Sequence, residues 1–185
     1  TTDDLKKVLK SNCILILYNL IEGVVTKSVE FIIDKINDQQ IEYKNLTEGI
    51  KYLMLRTSSK QKRQSFEHMN KDLVEIIDNI FDEIFNVTFD REAKKRILGG
   101  GGDFNDNFIK EISKKLDITF SRTERTLSDI KRDRNDLAHG SKSYIECSQN
   151  KTFNEIKKQK TKVFNYLNHY VKAVEKFINE DKYKK

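Results

Sequence analysis

Three residues, Arg134, Asn135 and His139, have the types and the spacing of a small site for acid–base chemistry on a phosphate. An imidazole can take up or release a proton near neutral pH, and a guanidinium can bind a phosphate group through two parallel hydrogen bonds. Asn135 and His139 are four residues apart, so on a helix they are neighbours, and the amide could hold the imidazole in one tautomer. Arg134 and His139 are five residues apart, so both reach one phosphate only if the arginine extends or the helix ends at His139.

The alternative is that an ordinary amphipathic helix ends here in polar residues. Gly140 predicts the end of this helix, and the capping-box pattern from Ser121 to Glu124 predicts its start. The side expected to be buried carries Leu127, Ile130, Leu137 and Ala138. Arg134 lies on the same side, where a guanidinium needs a partner because an unpaired buried charge is unfavourable.

Apolar residues recur at helical spacing along most of the remaining chain. They predict a long first helix to about residue 37, shorter helices around 46–55, 62–86 and 106–116, and a last helix opened by a second capping box at Thr152 to Glu155. The chain has no proline, so its elements run long. We therefore expect an all-α fold, an up-down bundle of five to six helices, as one domain over 1–180 with a frayed basic tail at 181–185.

The first helix is expected to be a core helix. Its predicted core stripe includes Leu5, Leu9, Cys13 and Ile16, with Cys13 as a small buried thiol. Asn12, Asn19 and Glu22 interrupt the apolar run, which argues against a membrane span. With no signal peptide recognisable, we expect a cytoplasmic protein that does not contact a membrane.

No metal or cofactor is expected. Cys13 and Cys147 form no C-x-x-C pair, and the chain has three histidines. Asp103 and Asp106, which follow the glycine run at 99–102, are interpreted as solvated loop acids rather than metal ligands.

The charge balance favours a polyanionic partner. Lysine and arginine number 35 against 29 acidic residues, which gives a net charge of +6. Basic clusters lie at 60–63, 93–96, 131–134 and 157–162, and each fits either a solvated face or a nucleic-acid contact. None of them has aromatic residues interleaved with its cations, as a stacking platform for single strands would.

The motif Arg134-Asn135-Asp136-Leu137-Ala138-His139 resembles the R-x(4–6)-H signature of the HEPN superfamily (higher-eukaryote and prokaryote nucleotide-binding domains). The surroundings agree: LYNLIEG in the first helix, a glycine-rich connector before NFIKEISKKLDI, and RNDLAHG followed by the last long helix. Together they cover most of the chain and are similar to the MAE-type, defence-associated prokaryotic branch. The resemblance implies a HEPN-like helical bundle.

The resemblance also implies an activity, that of a metal-independent endoribonuclease acting as a homodimer, as a toxin or anti-phage defence effector. Such an enzyme cleaves RNA through the RNA's own 2′-hydroxyl, so His139 is the expected acid or base, Arg134 binds the phosphate and Asn135 positions them. Arg132 and Lys131 are expected secondary phosphate contacts. A two-fold dimer would bring two copies of Arg134 and His139 into one cleft and would cover the apolar side of their helix.

A non-catalytic function is the alternative. The same residues could serve a helical module that binds RNA, a nucleotide or a partner protein such as an antitoxin or a defence component. One departure from the family pattern limits what is carried over. The R-x4-H-x-Y form is absent because Tyr144 lies five residues past His139, so modification by a nucleotidyltransferase antitoxin is not implied.

Overall fold

Helices make up the regular secondary structure of the chain wherever it is described. The computed structural model describes residues 2–58, 89, 95, 97–99 and 103–185. This part contains six α-helices, one short 3-10 helix and no strand, which confirms the all-α prediction. The predicted helix at 62–86 and the basic cluster at 60–63 lie outside the described residues, as does most of the cluster at 93–96.

The described helices are numbered here in chain order. They are α1 (Thr2–Asp38), a 3-10 turn (Tyr43–Asn45), α2 (Glu48–Ser58), α3 (Asp106–Lys115), α4 (Arg125–Ala138), α5 (Tyr144–Ser148) and α6 (Phe153–Asn179). The short helix α5 was not predicted, although Ser143 and Glu146 form a complete capping box at its start. The capping box of Thr152 and Glu155 at the start of α6 is confirmed.

The chain contacts divide into two compact units, each assembled from three segments. The first unit comprises residues 1–28, 101–111 and 120–173, and the second comprises 29–100, 112–119 and 174–185. Residues 131–139 and their neighbours all belong to the first unit. The expected single domain over 1–180 stays a prediction.

In the second unit the C-terminal residues are packed, so the expected frayed tail at 181–185 is wrong. Tyr183 is fully buried, and its carbonyl accepts a hydrogen bond of 3.0 Å from the backbone N–H of Thr47. Lys185 donates its backbone N–H to Asn45 and pairs with Glu48 through its ammonium group. A buried aromatic ring therefore anchors the basic end of the chain.

The apolar residues of α1 are not all core. In the first unit Ile14, Tyr18 and Ile21 are fully buried, whereas Leu5, Leu9 and Ile16 are exposed and Cys13 is only partly covered. Apolar residues occur around the whole helix but one side packs, so the prediction of a buried stripe through these positions is wrong. By length and composition alone α1 could cross a membrane, a property that the core helix of a soluble protein can share.

The start and the buried side of α4 differ from prediction. Its N-cap is Glu124, not Ser121: the Glu124 carboxylate accepts hydrogen bonds from the backbone N–H and the hydroxyl of Thr126. Leu127 and Ile130 are buried as predicted, but Leu137 is partly exposed and Ala138 is exposed. The buried side continues through Asp133 instead, which was not expected of a carboxylate.

Asp106 is also not the loop acid that the sequence suggested. It lies buried in the first turn of α3, accepts a 3.2 Å hydrogen bond from the hydroxyl of Ser128 and pairs with Lys110. A carboxylate is favoured there because the helix dipole places positive potential at the N-terminus. Asp103 is exposed and pairs with Lys131.

Candidate functional site

The motif helix α4 ends where the sequence predicted. Ala138 is its last residue, and His139 is the C-cap, with its backbone N–H donating to the carbonyl of Asn135 at 2.9 Å. Gly140 follows with φ +69°, a left-handed conformation that glycine adopts without strain. The His139 side chain is exposed. An imidazole at this position is accessible to a large substrate.

Arg134 is partly buried and is held on two sides. Its guanidinium carbon lies 4.6 Å from the centroid of the Tyr18 ring on α1, in a cation–π contact. Its Nη1 donates a 3.0 Å hydrogen bond to Oδ1 of Asn135. No ion pair of Arg134 is found within the described part of the chain. These contacts orient the guanidinium while leaving other N–H groups free to bind an anion.

Tyr18 supports Arg134 as a neutral ring. It is fully buried, and burial together with the charge of Glu22 raises the pKa of its hydroxyl, an effect that the nearby Arg134 partly opposes. A phenol is protonated at physiological pH in any case, and the raised pKa moves its ionisation further away. The aromatic face of Tyr18, rather than a phenolate, is thus the group that meets the cation.

The side chain of Asn135 contacts Arg134, not His139. Its side-chain oxygen accepts the hydrogen bond from Arg134, whereas its link to His139 runs through the backbone. Among the described contacts none joins the Asn135 amide to the imidazole. The expectation that Asn135 sets the tautomer of His139 therefore lacks a contact here, and its amide orients the guanidinium instead.

The two expected secondary phosphate contacts are both paired with acids of the chain. Lys131 forms an ion pair with Asp103, and the exposed Arg132 pairs with Asp129 at 3.1 Å. A phosphate group would have to replace these carboxylates. The pair of Arg132 is largely exposed and therefore weak, so replacing its carboxylate requires little free energy.

Behind the motif lies a buried polar network. The side chain of Asp133 is 6% exposed and pairs with Lys151, whose own side chain is 22% exposed. The Cys147 thiol lies 4.0 Å from the carbonyl of Asp133, and burial raises the pKa of that thiol, which keeps it uncharged. This network joins α4 to α5 and to the segment that precedes α6.

Helix α1 closes the same network from the other side. The buried ammonium of Lys10 donates to the carbonyls of Ser148 (3.1 Å) and Lys151. The hydroxyl of Ser11 donates to the carbonyl of Tyr144 at 2.6 Å, and that of Ser148 donates to the carbonyl of Lys7 at 2.6 Å. Buried polar groups that are satisfied in this way hold the helices in one arrangement.

We expect Lys151→Met to lower the free energy of unfolding by about 3 kcal/mol, because it leaves the buried Asp133 carboxylate without its cation. Urea unfolding followed by circular dichroism measures the loss. Adding Asp133→Asn to the variant removes the unpaired charge and should restore part of the stability. A loss below about 0.5 kcal/mol, typical of surface pairs, would show that the pair does not stabilise α4.

Sequence reasoning missed Tyr18, Asp133 and Lys151. A usable signal existed for Tyr18, because Ser11, Tyr18 and Val25 recur every seven residues and thus share one side of the helix. For Asp133 the signal was its position three residues after Ile130, on the buried side of α4. Nothing in the local sequence pairs Lys151 with it. In the described part of the chain no group of three or more His, Cys, Asp or Glu side chains is placed to hold a metal ion.

Comparison with known families gives one finding. The model of the family described as HEPN_MAE_28990-like HEPN matches residues 1–183, nearly the whole chain. No curated protein and no solved structure gives a significant match.

Proposed function

The chain belongs to the HEPN_MAE_28990-like family of HEPN domains, and on this basis we propose that it is an endoribonuclease that cleaves RNA through the RNA's 2′-hydroxyl group. The observation that carries the proposal is the arrangement at the end of α4. Tyr18 and Asn135 orient Arg134 and leave some of its N–H groups unbonded. His139, five residues later, is exposed and caps the helix. A phosphate-binding cation and an acid–base group are thus presented at one helix end.

The chemistry needs three groups. One base removes the proton of the 2′-hydroxyl, whose oxygen attacks phosphorus, and one acid protonates the 5′-oxygen as its bond to phosphorus breaks. A cation stabilises the negative charge that develops on the phosphoryl oxygens. His139 is the proposed base or acid, and Arg134 is the proposed cation. Because the nucleophile belongs to the RNA, no metal-activated water is required.

The proposal includes a symmetric homodimer, which would supply a second His139 for the second proton transfer. The sequence-based reason for the dimer does not hold, since Leu127 and Ile130 are already fully buried within the single chain and Arg134 contacts Tyr18. The support comes instead from Tyr144 and Ile145, two exposed apolar residues that follow His139 within six positions. A partner copy could cover them.

We expect Ile145→Asp to convert the dimer to a monomer and to reduce cleavage in parallel, because a carboxylate cannot be desolvated in an apolar interface. Sedimentation velocity at micromolar concentration measures the change. Leu9→Asp is the matched variant, because Leu9 is exposed on α1, about two and a half turns from Tyr18 and so on the opposite side. Dissociation by Leu9→Asp alone would place the interface on that side and contradict a shared site.

A cleavage assay tests the proposed activity. Purified protein incubated with single-stranded or loop RNA in EDTA should give products that end in a 2′,3′-cyclic phosphate and a 5′-hydroxyl. The same oligonucleotide with hydrogen in place of each 2′-hydroxyl should bind but stay intact. Cleavage that depends on added divalent metal, or binding without cleavage, would contradict the proposal.

A non-catalytic module that binds RNA, a nucleotide or a partner protein is the second candidate. One observation favours it: within the described residues, no hydrogen bond orients the imidazole of His139, whereas a catalytic histidine is usually held by a second group. For the ribonuclease, the family branch suggests a toxin or anti-phage defence effector acting on RNA in the cytoplasm; for either candidate it suggests an antitoxin or defence protein as a further partner.

A further inference from the structure

Helix α6 exposes two phenylalanines and two lysines on one side. Phe153, Lys157, Lys160 and Phe164 are spaced by four, three and four residues, which places them in one row along the helix. Phe153 is 55% exposed and Phe164 is 44% exposed. Ile156, Val163 and Leu167 flank this row along one edge, and they are buried and fix the helix to the first unit. We call the exposed row the α6 aromatic–lysine face.

The sequence run at 157–162 was expected to lack aromatic residues among its cations. The run itself contains none, but the helix brings Phe153 and Phe164 from either side of the run into line with Lys157 and Lys160. The Lys160 ammonium lies 5.4 Å from the centroid of the Phe164 ring. The expectation holds for the run itself, and the helix adds one ring at each end of the two lysines.

We propose that the α6 aromatic–lysine face binds single-stranded RNA by stacking unpaired bases on Phe153 and Phe164. Base–aromatic stacking tolerates any sequence, and lysines between the rings can contact the phosphates that join the stacked nucleotides. The two rings are eleven residues apart, which on a helix is about 16 Å and leaves room for several nucleotides. The ligand class is unpaired RNA, because bases in a duplex stack on each other.

The charges of the face fit a polyanion. In the described part of the chain Lys157 and Lys160 have no ion pair. The one acid within 153–164 is Glu155, whose carboxylate is occupied by the hydroxyl and the backbone N–H of Thr152. Both ammonium groups are therefore available to phosphate. The net charge of the whole chain, +6, also favours a polyanionic ligand.

Two other occupants fit the face less well. A second copy of the chain packed on it across a two-fold axis would bring lysines together, which is unfavourable. A membrane-surface helix keeps its apolar residues contiguous and its lysines on the polar side. Here the lysines lie between the rings, as in a stacking platform.

The α6 aromatic–lysine face belongs to the first unit, as the motif does, and begins next to a residue that contacts the motif helix. Lys151, two residues before Phe153, binds Asp133 of α4, the residue next to Arg134. RNA stacked on Phe153 would therefore lie beside a segment that contacts the motif helix. The inference shares its substrate class with the proposed ribonuclease function but rests on other residues.

Fluorescence anisotropy of a labelled single-stranded RNA tests the inference. The wild-type protein is used with a 2′-O-methylated oligonucleotide, which the proposed reaction does not cleave. Phe153→Ala and Phe164→Ala should each weaken binding about fivefold or more, the size of one lost stacking contact. Phe31→Ala, which removes an equally exposed ring from the second unit, should leave the affinity unchanged.

Salt dependence tests the lysines. Lys157→Gln and Lys160→Gln should each lower the slope of log K against log salt concentration by about 0.7, the value for one phosphate contact with a single strand. Lys158→Gln is the matched control, because Lys158 is exposed on the same helix but lies outside the row. Equal slopes for all three variants would overturn the role of the lysines.

Four results would overturn the proposed face. The first is an unchanged affinity of both phenylalanine variants for single-stranded RNA. The second is an equal loss of affinity for duplex RNA, whose bases cannot stack on the rings. The third is a loss of self-association by these variants in sedimentation, which would assign the face to a second copy. The fourth is a loss of their binding to phosphatidylserine vesicles, which would assign the face to a membrane. Far-ultraviolet circular dichroism should show wild-type folding, because both rings are exposed.

The outcome is separable from that of the ribonuclease proposal. If the wild-type protein cleaves RNA while the phenylalanine variants bind it normally, the proposed RNA-binding face is wrong and the ribonuclease proposal is supported. If the wild-type protein never cleaves RNA but binding depends on Phe153 and Phe164, the face stands and the enzyme reading fails.

Discussion

Replacement of His139 by alanine is expected to slow RNA cleavage by about 10²-fold or more, because the reaction loses a proton-transfer group. Single-turnover cleavage of a labelled RNA in EDTA gives the rate constant directly. The affinity for uncleavable RNA should change far less, since the imidazole is not the main phosphate ligand. His139 is exposed, so the variant should keep the thermal midpoint of the wild type.

His169→Ala is the matched control for this experiment. His169 is also exposed, and its Nδ1 lies 2.6 Å from the carbonyl of Asn165 in its own helix, away from the motif. Cleavage by this variant should match the wild type. A His139 variant that cleaves at more than about a tenth of the wild-type rate would remove the imidazole from the mechanism.

Replacement of Arg134 by alanine is expected to reduce kcat/KM by about 10²-fold, the effect of removing one donor to a developing oxyanion. Arg134→Lys should recover little, because an ammonium cannot form two parallel hydrogen bonds to one phosphate. Kinetics at saturating RNA separate the loss in kcat from the loss in affinity. Wild-type activity in the alanine variant would assign Arg134 a structural role.

Tyr18 extends this prediction to a positioning residue. Tyr18→Phe keeps the ring beneath the guanidinium and should retain most activity, whereas Tyr18→Leu removes it and should lower kcat. Adding Tyr18→Leu to Arg134→Ala should cost no further activity, since the ring acts through the arginine. If Tyr18→Leu only destabilised the fold, it would lower activity both in the wild type and in Arg134→Ala and would lower the thermal midpoint. Additive losses of activity in the double variant would therefore contradict the positioning role of Tyr18.

The helices were predictable because their apolar spacing and their termini are local properties. The end of α4 at His139 and the capping box at Thr152 followed from a few residues each. The Glu124 cap was missed because a serine three residues earlier offered the same pattern. Two local signals competed, and only backbone geometry, with Glu124 extended at the helix start, distinguished them.

The surroundings of the motif were less predictable because they depend on residues distant in sequence. Apolar residues occur on every side of helix α1, so spacing alone could not tell that Tyr18 is buried while Leu9 is exposed. A buried lysine such as Lys10 contradicts simple burial rules, and its partners are backbone carbonyls that no sequence pattern marks. The motif residues could be named from the sequence, whereas the groups that contact them could not.

Assembly of the site has to wait for almost the whole chain. Tyr18 and Arg134 are 116 residues apart, and the hydrogen bonds of Lys10 close loops of 138 and 141 residues. Contacts of such long range form late and slowly in folding, because the entropy of closing the loop is lost before the contacts form. A chain still emerging from the ribosome therefore has no oriented Arg134. The buried network behind the motif can close only after synthesis has passed residue 151, because Lys10 and Asp133 both contact Lys151.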